Sequence, residues 1–209
     1  MTELFSLLVF AGVAVFFAIK LYGVLGRSEG HMEPPKAPEP KSRANGAGDR
    51  LPPVRPAFEG PAAAGLEAIA QADRSFSPDG FLDGAGQAYR MIIEGFARGD
   101  KDMLRTLLAD KVFDRYAAVI DERRAKGETA KTEVDRIITT DIVDASADDG
   151  VARLKVKFEA DIASEVTGSD GQTVSGDLGQ LARVAEYWTF ERRLDSADPN
   201  WVLASVAVA

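Results

Sequence analysis

Val151–Glu165 reads VARLKVKFEADIASE. Ala152, Leu154, Val156, Phe158, Ala160 and Ile162 fall on one side of this stretch, and Arg153, Lys155, Lys157, Glu159 and Asp161 on the other. Side chains alternate with a period of two along a strand, so the pattern predicts a half-buried strand of an antiparallel sheet. Toward the N-terminus, Thr132–Ala145 is rich in β-branched residues (Val134, Ile137, Ile138, Thr139, Thr140, Ile142, Val143) and is expected to pair with it. The linking Ser146-Ala147-Asp148-Asp149-Gly150 predicts a hairpin turn. Toward the C-terminus, Arg183–Leu194 predicts a third strand with Trp188 and Phe190 on one side, Asp195–Asn200 a turn, and Trp201–Val208 a fourth strand. Ser164–Gln180 is rich in Gly, Ser and Asp and is expected to form a long exposed loop.

Upstream of the strands the apolar period changes to that of a helix. Phe81, Ala85, Ala88, Tyr89, Ile92, Ile93 and Phe96 recur at three- and four-residue steps, one continuous stripe from Phe81 to Arg98. Ser77 or Asp79 can cap its start, and Gly99-Asp100 ends it and caps a short helix, Lys101–Leu108. Lys111–Lys126 predicts a further helix with Phe113, Tyr116, Ala117 and Ile120 inward, stopped by Gly127. A first short helix is expected within Ala62–Phe76. Helices followed by an antiparallel sheet define an α+β domain. The expected architecture is a helical layer in the concave face of a curved sheet, a cone with an apolar cavity. Phe81, Tyr89, Phe96, Phe158, Trp188 and Phe190 are its candidate walls, as pocket or client contacts.

The chain has 209 residues and divides into three compositional zones. Leu4–Ile19, LFSLLVFAGVAVFFAI, carries no charge, and the apolar run resumes after Lys20 as far as Gly26. Such a run can cross a bilayer core of roughly 30 Å at about 1.5 Å per residue. Residues 1–27 are therefore expected to be a transmembrane anchor, with Leu4, Phe10, Phe16 and Phe17 in lipid and Lys20 and Tyr22 at the headgroups. The acidic start Met1-Thr2-Glu3 and the absence of an Ala-x-Ala site argue against a cleaved signal peptide. Lys20, Arg27, Lys36, Lys41 and Arg43 all lie on the C-terminal side of Leu4–Ile19, so the positive-inside rule places the N-terminus outside and the remainder in the cytoplasm; the resemblance given below implies a bacterial inner membrane. Residues 28–61 hold eight of the ten prolines and few large apolar residues, and are expected to form a disordered linker.

Residues 62–209 are long enough for one domain with a core. This part has 18 Lys+Arg against 27 Asp+Glu, a net charge of -9, so it lacks the basic footprint that nucleic acid requires. Chemistry-bearing motifs are sparse. The chain has no cysteine, and its single histidine, His31, falls in the linker. No HExxH, Gly-x-Ser-x-Gly or phosphate-cradling loop occurs, and Gly84-x-Gly86 has no preceding strand. The expectation is a non-enzyme with no cofactor, no metal and no nucleic-acid partner. Arg153, Lys155 and Lys157 form a basic stripe, read either as a solvated face or as a contact for acidic partners or lipid. Arg192 and Arg193 are expected to pair with Asp195 or Asp198.

In their order and spacing, FLDGAGQAYRMIIEGFARGDKDMLRTLL, VARLKVKFEADI and EYWTFERRLDSADPNWVLASV resemble the Tim-forty-four-like (Tim44-like) domain family, over roughly Phe76 to Val206. The resemblance implies a fold like nuclear transport factor two. It also implies an inner-membrane adaptor that holds unfolded polypeptide or membrane lipid near translocase subunits. Two alternatives stay open: a membrane-tethered small-molecule-binding or isomerase-like domain of the same cone shape, and a docking subunit of an envelope complex.

Overall fold

The computed structural model of the protein describes residues 58–209. Its element order is α1 (Ala63–Ala72), α2 (Pro78–Arg98), α3 (Lys101–Leu107), α4 (Asp110–Ala125), β1 (Thr129–Asp148), β2 (Val151–Thr167), β3 (Thr173–Arg193) and β4 (Val202–Val208). The strands pair as a consecutive antiparallel meander, β1-β2-β3-β4. The expected α+β class, helices packed on a curved antiparallel sheet, is what forms. No helix among the described residues is long and apolar enough to cross a membrane. The expected anchor and most of the expected linker lie outside the described residues.

The expected alternation of β2 holds from Ala152 to Ala160, and beyond it Asp161 and Ala163, on the other side, are buried as well. Ala152, Leu154, Val156, Phe158, Ala160 and Ile162 are all buried. Register irregularities in β1 at Val134/Arg136, Ile137/Thr139 and Ile142/Asp144 accompany the sheet's curvature, as bulges bend a strand and raise its twist. The β1–β2 turn is the two-residue Asp149-Gly150, both at positive φ, as a tight hairpin of matching twist demands. The expected loop over Ser164–Gln180 is corrected. β2 runs on to Thr167, only residues 168–172 connect, and β3 begins at Thr173. Between the Ile162–Ala182 and Ser164–Asp177 pairs, four residues of β3 face one of β2, and Val174 and Leu181 point into solvent. This end of the hairpin has no buried face, so its composition reads like a loop.

The helix ends are satisfied as their residues suggest. Gly80 N–H donates to Ser77 Oγ at 3.3 Å, and Met103 N–H to Asp100 Oδ1 at 3.1 Å. Gly99 closes α2 at φ 71°. Two arginines from the last turn of α4 cap the same end: Arg123 Nη2 donates to the carbonyls of Phe96 (2.8 Å) and Ala97 (2.7 Å), and Arg124 Nη2 to Gly99 (2.8 Å). They satisfy orphan carbonyls and place positive charge at the negative end of the α2 dipole.

α1 buries Leu66 and Ile69 in the core, worth about 1.5–3 kcal/mol each, and packs along β1. Its C-cap residue, Asp73, ties it to the sheet. Arg192 Nη2 donates to Asp73 Oδ2, and the Arg192 guanidinium lies 5.1 Å from the centre of the Trp201 ring. This corrects the expected partner of Arg192; only Arg193 pairs with Asp195, at 2.6 and 3.0 Å. Bonds from Ser75 and then Arg192 hold the Asp73 carboxyl down at about 2. A carboxylate held low contributes stability above the ordinary carboxylate range and loses it as pH falls toward 2. Asp73→Asn is therefore expected to cost about 1 kcal/mol at neutral pH, and the cost should fade below about pH 3. Urea titrations at pH 7 and pH 2.5 check this; an equal cost at both would contradict it.

Candidate functional site

The interior of the cone is aromatic and closed. Tyr89 from α2 stacks on Phe158 of β2 with ring centres 4.6 Å apart and leans on Trp188 of β3 at 4.7 Å. Phe158 and Trp188 meet edge-on at 5.7 Å, and Trp188 and Phe190 lie 6.2 Å apart. Phe81 extends the chain of rings to Phe190 (5.8 Å) and Trp201 (4.9 Å). Five of the six expected wall residues thus form one packed cluster. Phe96 stands apart, against Tyr116 of α4 at 4.7 Å and under the Arg123 guanidinium.

One charged residue enters this interior. Glu186 has the same strand parity as Trp188 and Phe190, and only 7% of it is exposed. Trp188 Nε1–H donates to Glu186 Oε2 at 3.1 Å. The Tyr89 hydroxyl is buried beside it without closing a hydrogen bond of normal geometry. Burial pushes the Glu186 carboxyl up, partly offset by the Trp188 and Tyr89 contacts. Burial and then Glu186 push the phenols of Tyr89 and Tyr116 up as well. Sequence reading missed Glu186, although the Trp188–Phe190 alternation already assigns it to the inner face.

A carboxyl raised by folding favours the native state at low pH, and that contribution disappears as pH rises through its folded value. Glu186→Gln should therefore leave stability nearly unchanged near pH 4 and raise it by about 1 kcal/mol or more at pH 8. Thermal unfolding across that range tests it; a stabilisation independent of pH would contradict it.

A recess lies elsewhere among the described residues, on the outside of α2 where it crosses β1. It is a groove of about 310 Å³ lined by Leu82, Asp83, Gly86, Gln87, Arg90, Ile137 and Thr140. Arg90 is anchored there by donating to the Val134 carbonyl. Met91 and Ile138 are exposed on the same two elements. None of the groove residues was expected as a wall, because its floor is a bulged stretch of β1 whose inward positions break strict alternation.

On the convex face the basic stripe is matched. Arg153 meets Glu191 at 3.7 Å, Lys155 lies over the Tyr187 ring at 4.6 Å, and Lys157 pairs with Glu159 at 2.6 Å. Asp161 is clamped between cross-strand neighbours, Arg136 (2.9 Å) and Arg183 (3.0 Å). No cluster of His, Cys, Asp or Glu suited to a metal lies among the described residues.

Helices laid over a four-stranded antiparallel meander, enclosing an aromatic interior, define a cone-shaped α+β domain. The family model described as Tim44-like domain matches residues 62–208, and the chain belongs to that family. No curated protein matches the chain. Among solved structures, it is similar to the crystal structure of the intermembrane space region of chloroplast protein ARC6, at 10% identity and a TM-score of 0.42 over 68% of this chain and 95% of that one. It is also similar to the solution structure of a de novo beta sheet design protein, at 15% identity and a TM-score of 0.29 over 63% of this chain and 88% of that one.

Proposed function

We propose that this chain is an inner-membrane-anchored adaptor whose folded domain holds extended polypeptide or membrane lipid beside a protein translocase. Membership of the Tim44-like family over residues 62–208 carries the reading. The uncharged Leu4–Ile19 run supports the anchor, and the cations that follow it support a cytoplasmic domain. The reading assigns the domain no reaction of its own, and makes the groove between α2 and β1 a contact surface.

A photo-crosslinking residue at Gln87, in intact membranes, tests the proposal. Adducts to protein or lipid are expected that are absent from a form lacking Met1–Gly60. Adduct patterns identical in the two forms would sink it. A second reading, small-molecule binding inside the cone, draws support from the convergence of Glu186, Tyr89 and Trp188. A bound ligand there must part stacked rings, so it should shift Trp188 emission in a Trp201→Phe background.

A further inference from the structure

A meander leaves two sheet edges, and this one treats them differently. β1 is defended. Its three register irregularities break the ladder, the Arg90 guanidinium occupies the Val134 carbonyl, and its sequence carries Lys131, Glu133, Asp135, Arg136, Asp141 and Asp144. Bulges and charges of this kind discourage strand addition. β4, VLASVAV, has no charge, no proline and one irregularity, at Ala204.

The chain itself uses part of the β4 edge. Leu108 bridges Leu203 in parallel, and Ala109 N–H donates to the Leu203 carbonyl at 3.0 Å. Backbone is thus already added outside β4 as a two-residue stub, before the chain leaves at Asp110 to begin α4. Past Leu203 the edge has no partner among the described residues.

The phase of the open part follows from its inner bonds. Ala209 N–H donates to the Ala185 carbonyl at 3.1 Å, so Ala209, Ala207 and Ser205 turn their backbone groups toward β3. Val206 and Val208 then turn theirs outward. The extra residue at Ala204 explains why Leu203 and Val206 can both face out. Val208 is also 51% exposed, so an apolar side chain flanks the open amides.

We propose that this open edge, at Val206 and Val208, binds an extended polypeptide segment of neutral or basic character as a fifth strand. The inference rests on the adaptor reading and names its contact. A row of alternating N–H and C=O groups is matched by another backbone and by neither a lipid nor a compact side-chain surface. An uncharged strand in a domain of net charge -9 sets the charge preference, because acidic segments are repelled and basic ones drawn in.

The test uses the full-length protein in detergent micelles and a synthetic dodecapeptide of alternating lysine and valine. Adding the peptide should slow amide exchange at Val206 and Val208 and leave Ser205 and Ala207, already bonded to β3, unchanged. Val208→Pro removes an outward N–H and no β3 bond, and should weaken binding about tenfold, whereas Val208→Ala should stay within about twofold. A glutamate–valine peptide should bind more weakly still. Binding that leaves those two amides unprotected and Val208→Pro unaffected would overturn the edge assignment while the adaptor reading stands. No binding of either peptide would overturn the edge assignment, and the adaptor reading would then rest on lipid and on the Gln87 crosslinks alone. Protection of Val206 and Val208 that grows with protein concentration alone would assign the edge to a second copy and overturn the proposal.

Discussion

Replacing Trp188 by alanine should cost about 3–5 kcal/mol, enough to remove much of the stability of a domain of ordinary size. The side chain is fully buried and touches Tyr89, Phe158 and Phe190, so three rings lose their common neighbour. The same substitution removes the donor to Glu186 and leaves a buried carboxylate unpartnered. Trp188→Phe separates the two effects, because it keeps most of the packing and loses only the N–H. It should cost less than the alanine variant, and the extra Glu186→Gln change should recover part of the loss. Urea unfolding gives the values. A Trp188→Ala variant within 1 kcal/mol of the parent would contradict a closed aromatic interior.

Gly65→Ala is the second large effect, and two principles oppose each other there. Alanine is the better helix former by about 0.5–1 kcal/mol, so propensity alone favours the change in the first turn of α1. A methyl group at Gly65, however, would collide with the backbone carbonyl of Ala145 in β1. A strand carbonyl cannot swing aside as a flexible side chain can, so sterics should win. Overpacking of this kind costs about 1–3 kcal/mol and should lift α1 off the sheet. Gly84 gives the contrast. A methyl there meets open space, so Gly84→Ala should stabilise by about 0.5–1 kcal/mol. Opposite signs at the two glycines, read as shifts in thermal midpoint, would confirm that the α1–β1 approach is a backbone contact. Stabilisation at both would refute it.

Much of the scaffold was legible because burial and periodicity coincide. The period of two in Val151–Ile162 and the stripe from Phe81 to Phe96 each place an entire face correctly. Legibility failed where one of those two signals was missing. Thr173–Leu181 is strand without a buried face, so nothing alternates. β1 has a buried face, but its bulges reset the alternation, which hid the groove floor at Ile137 and Thr140. Glu186 was hidden for another reason: its inward position follows from parity, but a charged residue is discounted as core unless its partner is known. That partner, the Trp188 N–H, depends on side-chain geometry. The Arg192–Asp73 pair spans 119 positions and brings α1 to the end of β3, a relation no local pattern encodes.

Everything proposed for the domain presupposes that its chain is held in lipid by the Leu4–Gly26 run. Alkaline carbonate extraction of membranes carrying the full-length protein tests this most directly. The intact chain should remain in the pelleted membranes, and a form lacking Met1–Gly60 should be released. Recovery of the intact chain in the supernatant would contradict the account.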